Sequence, residues 1–232
     1  MKILCIAVAV LSLVSVCQPA SLACNNLLTP TDKNPQLLGR WHMIAFASES
    51  CLATTLFNSL IWPSLAMDIT SKDKPNTYDY NIKVKMYGYC FNETEAFFYE
   101  NSKMMDLDSN NSPTGDPDVF LQTSCPDCIV IKSTDYIGTL LLLSKRKSVS
   151  DAELKEFETQ TQCLGWSAMK KLNTEFDFDN CKILNDDISD EEAETLGNNI
   201  LSTISERMSG MYIDYIIVLE TRSGLTSTEV KQ

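Results

Sequence analysis

The segment Tyr78–Met86 alternates apolar and polar side chains without a break. One face would carry Tyr78, Tyr80, Ile82, Val84 and Met86, and the other Asp79, Asn81, Lys83 and Lys85. Successive side chains of a strand point to opposite faces, so this pattern predicts a strand with one face against an apolar interior. A strand buried on one face only is typical of an antiparallel sheet.

Seven further segments have strand length and lie at hairpin-like spacing. They are residues 40–48, 64–70, 89–100, 104–107, 119–123, 129–132 and 136–144. Gly88 and the Asp/Asn/Ser/Pro/Gly loop at 108–117 are turn signals, and no helical period lies between the segments. Eight antiparallel strands without intervening helices predict an all-β, closed up-and-down barrel.

The pattern changes after the eighth strand. Ser150 and Glu153 fit a capping box, and a modest apolar stripe continues to Cys163, which predicts one α-helix packed outside the barrel. A short strand is expected near 174–178. The remaining residues 182–232 form an acidic extension with ten acidic and four basic residues, a capping box at Ser189 and a helical stripe over 190–208.

The N-terminus has the features of a secretory leader. Lys2 precedes an apolar run over Ile3–Val16, and Ser21 and Ala23 provide small residues at the −3 and −1 positions of a cleavage site. We therefore interpret residues 1–23 as a signal peptide cleaved after Ala23, and the protein as secreted into a plasma-like fluid. The run is too short for a comfortable transmembrane helix, and no membrane span is expected.

Charge and cysteine usage exclude several function classes. The net charge of −12 argues against a nucleic-acid partner, which requires a basic face. Of nine cysteines, Cys5 and Cys17 lie in the leader, so an odd number remains for an oxidising compartment. Cys125 and Cys128 form one C-x-x-C, but no second one exists and His42 is the only histidine, so no metal and no cofactor is expected.

Eight strands, a Gly39-Arg40-Trp41 motif in the first and a helix after the last resemble the lipocalins. The segments around the cysteines at 22–27, 88–94, 156–164 and 179–181 resemble orosomucoid, whereas Leu121–Pro126 is similar to apolipoprotein M. Fish carriers of toxins or organotin compounds belong to the same group. The resemblance covers residues 22–181, which gives a lipocalin domain at 24–181 and leaves the extension without a counterpart.

The resemblance implies two disulfides, Cys24–Cys163 and Cys90–Cys181. In apolipoprotein M the equivalent of Cys125 pairs with a cysteine of the following helix, but that position falls near Glu153 here. Cys128 is slightly favoured as the partner of Cys125 because little chain must be closed. Cys51 remains the alternative.

The lipocalin pattern also implies a floor for the barrel. Gly39 and Trp41 would close one end, with Lys145 at the end of the last strand stacked over the indole. Thr134-Asp135-Tyr136 copies a lipocalin tripeptide, but only one strand follows it, so we interpret it as a turn.

Binding of a ligand requires a concave apolar cavity with few polar groups. The candidate lining residues are Tyr78, Tyr80, Ile82, Val84, Met86, Phe91, Phe97, Tyr99, Leu121 and Leu141. Alternate residues of a strand share a face, so with Phe91 inside the barrel Cys90 and Asn92 would lie on the outside. Glu93 and Glu95 would then point inward, towards the mouth. The apolar connection 49–63 is expected to act as a lid or to pack on the core.

Two sequons start at Asn92 and Asn110, and Pro113 weakens the second. On a secreted chain, glycosylation is expected at Asn92 first.

The sequence therefore predicts a secreted, monomeric carrier that binds a small hydrophobic or amphipathic molecule reversibly. The alternative is a lipid-binding protein associated with lipoprotein particles, as apolipoprotein M is through its uncleaved signal. An enzyme is not expected, because one histidine makes a Ser-His or Cys-His pair improbable. The lipocalin prostaglandin D synthase uses a cysteine in its second strand, and Ser64–Asp68 contains none.

Overall fold

The computed structural model describes residues 22–50, 53–54, 63–134, 137–166, 168–183, 191, 194–202 and 205. Two helices have defined bounds, α1 (Leu22–Leu27) and α2 (Asp151–Cys163). The strands of the main sheet are β1 (Gly39–Ser48), β2 (Ser64–Ser71), β3 (Thr77–Met86), β4 (Tyr89–Glu100), β5 (Lys103–Leu107), β6 (Pro113–Leu121), β7 (Cys128–Ser133) and β8 (Thr139–Ser144). Two short strands follow, β9 (Lys170–Lys171) and β10 (Lys182–Ile183).

Strands β1 to β8 form a closed antiparallel barrel. Each pairs with the next along the chain, and β8 returns to β1, where Leu141 lies opposite Phe46. The short strands extend this sheet, with β9 beside β1 and β10 parallel to β4. The prediction of an eight-stranded up-and-down barrel with a helix outside is confirmed.

The two ends of the barrel differ. One end contains Trp41 near the start of β1, together with the end of β6 and the start of β7. The N-terminal arm crosses the barrel at this end. There Thr31 N donates to the Phe120 carbonyl at 2.8 Å, so the arm closes this end. The end of β1 at Ser48, the start of β2 at Ser64 and the turn at Tyr87–Gly88 lie at the opposite end, here called the open end.

Two apolar clusters follow from the alternation of side chains. The inner cluster fills the barrel and includes Trp41, Phe97 and Phe120. The outer cluster lies between the barrel and α2, where Leu154 and Phe157 pack against β1, β7 and β8. Strands β7 and β8 are therefore covered on both faces, which explains their continuous apolar sequence.

Helix α2 begins where the sequence predicts. Ser150 is the N-cap, and both bonds of the capping box with Glu153 are present. These bonds satisfy amide groups of the first turn that have no partner within the helix. The side chain of Gln160, fully buried, bonds the carbonyls of Leu27 and Gln122 and ties the helix to the arm and to the end of β6.

Two predicted elements are wrong. Strand β6 begins at Pro113, inside the predicted loop 108–117, and its pairing with β5 shifts register between Met104 and Asp106. Gly115 has a φ of +79°, which allows the backbone to bulge there while pairing continues. No strand forms at 174–178. That segment instead packs Phe176 into the outer cluster.

The C-terminal extension is described only in part. Residues 194–202 are helical, as predicted, and Leu201 is 67% exposed. Residues 1–21, most of the connection 49–63, Asp135–Tyr136 and residues 206–232 lie outside the described residues. In the part of the chain that the structure describes, no helix has both the length and the apolar character that a bilayer span requires.

Candidate functional site

An apolar cavity of about 180 Å³, here called the inner cavity, lies within the barrel. Its lining consists of Met43, Leu65, Ala66, Met67, Tyr80, Ile82, Met104, Asp118, Ile131, Leu141 and Leu143. Every strand of the barrel except β4 contributes at least one residue to it. Among the described residues that line it, Asp118 is the one charged side chain. The cavity can therefore bury apolar surface and offer a carboxylate at one point of its wall.

The β3–β4 pair forms the wall with the strongest sequence signal. Its register places Tyr78 opposite Phe97 and Val84 opposite Phe91, so the predicted residues of both strands share the inner face. The rings of Tyr78 and Phe97 stack with centroids 5.3 Å apart. Phe97 belongs to the packed inner cluster, whereas Phe91 near the open end is 36% exposed.

These candidates lie at different depths. Tyr78, Phe97 and Tyr99 pack in the inner cluster towards the closed end. Tyr80, Ile82 and Leu141 line the inner cavity itself. The register of β3 and β4 places Val84, Met86 and Phe91 further along the same wall, towards the open end. The structure thus brings three of the predicted ligand contacts together and distributes the others above and below them.

The Tyr80 hydroxyl donates a hydrogen bond to the Glu95 carboxylate across the β3–β4 pair. Burial raises the pKa of the Tyr80 phenol, and the bond to Glu95 together with the negative charges of Asp106 and Glu93 raises it further. The phenol therefore remains neutral and can donate. Glu93 and Glu95 lie on the inner face of β4, as the alternation of side chains predicts.

The assignment of Leu121 to the interior is wrong. Leu121 pairs with Val130 and belongs to the outer cluster beneath α2, while its neighbour Phe120 points into the barrel. Phe120 is apolar because it faces the barrel interior, and Leu121 is apolar because the arm and α2 cover the outside of the barrel at this point. The alternation that reveals the inner face of β3 is therefore missing here.

Sequence reasoning missed eight of the eleven residues that line the inner cavity. Met43, Met67, Met104 and Ile131 contribute to it, and so does Asp118. Alternation within 64–71 was a usable signal, since it places Leu65, Met67 and Ile69 on one face. Asp118 gave no such signal, because it follows a Gly/Asp/Pro stretch typical of a loop.

The floor of the barrel is built around Trp41, which is 2% exposed. Its indole Nε1 donates to the Leu37 carbonyl at 2.6 Å, and the Lys145 ammonium lies 5.1 Å from the ring centroid. Gly39 has a φ of +99°, a conformation that other residues rarely adopt, and this lets the arm turn into β1. Gly39, Trp41 and Lys145 thus meet at the closed end.

The described residues contain three disulfides. Cys24–Cys163 joins α1 to the end of α2, Cys90–Cys181 joins β4 to the segment before β10, and Cys125–Cys128 closes the C-x-x-C. Cys51 lies outside the described residues. The sulfurs of Cys125 and Cys128 lie within 4.8 Å of a Glu153 oxygen. Because the two sulfurs are bonded to each other, they offer no thiolate to a metal ion.

Both sequons are on the surface. Asn92 lies opposite Lys83 on the outer face of the β3–β4 pair and is exposed. Asn110 is exposed in the turn that Asp108 stabilises by accepting bonds from the backbone amides of Asn110 and Ser112. Either side chain is accessible to a modifying enzyme.

A closed eight-stranded antiparallel barrel with an apolar interior, a tryptophan floor and an outer helix defines the chain as a lipocalin, a class of hydrophobic-ligand-binding proteins. More narrowly, the chain belongs to the ApoM family, because the model of the ApoM domain matches residues 2–185. The resemblance to the apolipoprotein M group is thereby confirmed.

Solved structures with a similar fold include two siderocalins. Siderocalin Ex-FABP, described as functioning through dual ligand specificities, is 13% identical, with a TM-score of 0.49 over 64% of this chain and 98% of that chain. A second siderocalin, described as having a dual ligand-binding mode, is 15% identical, with a TM-score of 0.43 over 60% of this chain and 89% of the other. No curated protein sequence matches this chain significantly.

Proposed function

We propose that this protein is a secreted carrier that takes up a small hydrophobic or amphipathic molecule in the inner cavity and releases it unchanged. The observation that supports this most directly is the apolar lining of that cavity, to which Asp118 alone adds a charge. Burial of apolar ligand surface contributes about 25 cal/mol per Å², so a few hundred Å² supply several kcal/mol before the costs of association.

The volume of the inner cavity indicates how a ligand enters. About 180 Å³ is less than the roughly 300 Å³ at which ligand pockets begin. Met43, Met67 and Met104 line the cavity, and methionine side chains are flexible enough to repack around different shapes. We expect the cavity to enlarge on binding by movement of these three side chains, with the connection 49–63 as the gate.

The compartment proposed here fits the disulfides. Three closed disulfides are typical of proteins in an oxidising environment, and the leader at 1–23 supplies the route to it. Exposure of Asn92 supports a glycan on the outer face, opposite the ligand.

A matched pair of variants tests the carrier function. Delipidated protein is titrated with the uncharged fluorescent probe N-phenyl-1-naphthylamine. Leu141→Phe, which fills the inner cavity, is expected to weaken probe binding about tenfold or more, because it removes the space for part of the ligand. Ile183→Phe adds the same ring at an exposed site and should leave the affinity unchanged.

Native mass spectrometry of protein from its source fluid would identify the ligand directly. A folded wild-type protein that neither binds the probe nor releases an extractable molecule would contradict the proposal.

One observation favours a second candidate, association with lipoprotein particles. The match to the ApoM domain begins at residue 2 and so includes the apolar N-terminal run. Apolipoprotein M, which this chain resembles, keeps that segment as an anchor. N-terminal sequencing of the secreted protein decides between the two: a start at Cys24 supports a free carrier, and a start at Met1 supports particle association.

We expect no catalysis in either case. His42, the single histidine, is buried on the outer face of β1 against the Phe176 ring and does not reach the inner cavity.

A further inference from the structure

A second cavity, here called the floor cavity, lies beneath the closed end of the barrel. Its volume is about 350 Å³, within the range of small-molecule pockets, and it shares no lining residue with the inner cavity. Residues 31–36 of the N-terminal arm form one side, and the closed ends of β6, β7 and β8 form the other. It is therefore a separate site, and its occupancy does not depend on the proposed carrier function.

The arm is fixed at both ends of this cavity. Before it, the Thr31 amide bonds the Phe120 carbonyl at 2.8 Å. After it, Leu37 is buried and accepts the Trp41 indole bond. Because both ends are anchored, the intervening residues span the opening as a permanent bridge, and the cavity does not need a ligand to form.

The wall of the floor cavity is apolar and partly aromatic. Trp41, Phe120 and Ile129 form its floor on the barrel side and are each less than 5% exposed. The apolar surface that a ligand can reach is therefore mainly that of Pro35 and Pro126 in the two loops. Rings and prolines are rigid surfaces that lose little entropy when a flat or aliphatic group packs on them. The body of the expected ligand is therefore hydrophobic.

Two lysines give the cavity a positive charge. The Lys33 ammonium donates to the Thr123 carbonyl at 3.0 Å and retains two further donors. The Lys145 ammonium lies above the Trp41 ring and makes neither an ion pair nor a hydrogen bond within the described residues. Asp127 also lines the cavity, but its carboxylate is matched by the Arg146 guanidinium at 3.5 Å.

We propose that the floor cavity binds a small organic anion, a carboxylate or sulfonate attached to an aromatic or aliphatic body. The acidic group would be held by Lys33 and Lys145, and the body would pack against Pro35 and Pro126. Lysines act as point charges without a preferred plane, so they suit a single anionic group. The chain has a net charge of −12, so its overall electrostatic field repels anions. The two lysines give this pocket a local positive potential that attracts them.

A pair of probes that differ in one group tests this proposal on the full chain. 8-Anilinonaphthalene-1-sulfonate has the anilinonaphthalene body of N-phenyl-1-naphthylamine and adds the sulfonate. In the double variant Lys33→Gln/Lys145→Gln, we expect sulfonate binding to weaken about tenfold or more, from the loss of two charge-assisted contacts. Binding of the uncharged probe should change less than about twofold.

The control variant is Lys74→Gln/Lys155→Gln, which removes the same charge from two exposed positions that line neither cavity. It should bind both probes as the wild type does. Lys33→Arg/Lys145→Arg keeps the charge and should retain most of the sulfonate affinity. Wild-type sulfonate affinity should fall as NaCl rises, while that of the uncharged probe should not.

Equal sulfonate binding by the glutamine variant and its control would overturn the proposal. If the glutamine variant does not fold, sulfonate affinity of the wild type that is independent of salt would overturn it as well. Leu141→Phe separates the two sites: loss of the uncharged probe with sulfonate binding retained supports a distinct floor site, whereas loss of both probes places them in one cavity and contradicts it.

Discussion

The indole of Trp41 and the carbonyl of Leu37 are joined by a hydrogen bond of 2.6 Å that ties the N-terminal arm to the floor of the barrel. Both groups are buried, so water cannot replace either partner. Trp41→Phe leaves the Leu37 carbonyl without its donor and opens a void, and we expect it to lower the free energy of unfolding by about 2–4 kcal/mol.

Urea denaturation measures this change. Trp166→Phe is the control, because Trp166 is only partly buried and packs at the edge of the outer cluster. The control should cost less than about half as much. If the two substitutions lowered the free energy of unfolding equally, the hydrogen bond between Trp41 and Leu37 would make no specific contribution to stability.

The three disulfides are expected to differ in their contribution to stability. Cys24–Cys163 closes a separation of 139 residues, and Cys125–Cys128 a separation of three. In the chain-entropy model these loops correspond to about 5 and about 2 kcal/mol. The variant Cys24→Ala/Cys163→Ala should therefore unfold at clearly lower urea than Cys125→Ala/Cys128→Ala. The reverse order would mean that effects in the folded state dominate the entropy of the unfolded chain.

The two faces of β6 give a further prediction. Leu121 packs under α2, so Leu121→Ala should lower the free energy of unfolding by about 2–4 kcal/mol and leave the affinity for N-phenyl-1-naphthylamine unchanged. Leu141→Phe acts on the inner cavity. It should weaken binding of the probe and lower the free energy of unfolding less than Leu121→Ala does. A probe affinity that falls with Leu121→Ala would contradict the outward position of Leu121.

The residues that sequence reasoning placed correctly have one physical property in common. Tyr78–Met86 has water on one side and the barrel interior on the other, so its polar and apolar side chains alternate and its register is readable. The capping box at Ser150 is equally readable, because the same two side chains make the bonds that start the helix. Such features depend on neighbours close in sequence.

What sequence reasoning missed depends on neighbours distant in sequence. Leu121 is apolar because α2, more than 30 residues further on, covers it. Pro113–Pro117 has loop composition, yet pairs as a strand because β5 offers a partner along its length. The floor cavity exists only because residues 31–36 cross the end of the barrel, and no local pattern in that polar arm indicates a ligand site.

His42 gives the last prediction, a dependence of stability on pH. Its ring lies 4.5 Å from the Phe176 ring, and its Nδ1 has no hydrogen-bond partner within the described residues. Burial lowers the pKa of His42 below its ordinary value of 6.5, and the charges of Arg40 and Lys147 lower it further, against bonds to the backbone at Ser144 and Lys145 that raise it. The folded protein therefore keeps this ring neutral to a lower pH than the unfolded chain does.

The sign of the effect follows from proton binding. Well above pH 6.5 the ring is neutral in both the folded and the unfolded chain, so His42 does not affect the pH dependence there. As the pH falls below 6.5 the unfolded chain takes up a proton that the folded chain does not, and the free energy of unfolding falls. His42→Leu removes this titration and the unpartnered Nδ1. Urea unfolding at pH 7.5 and pH 5.0 should show a smaller loss of stability in the variant than in the wild type. Equal losses in the two proteins would mean that protonation of other groups accounts for the whole pH dependence and that the folded chain accommodates the charged ring.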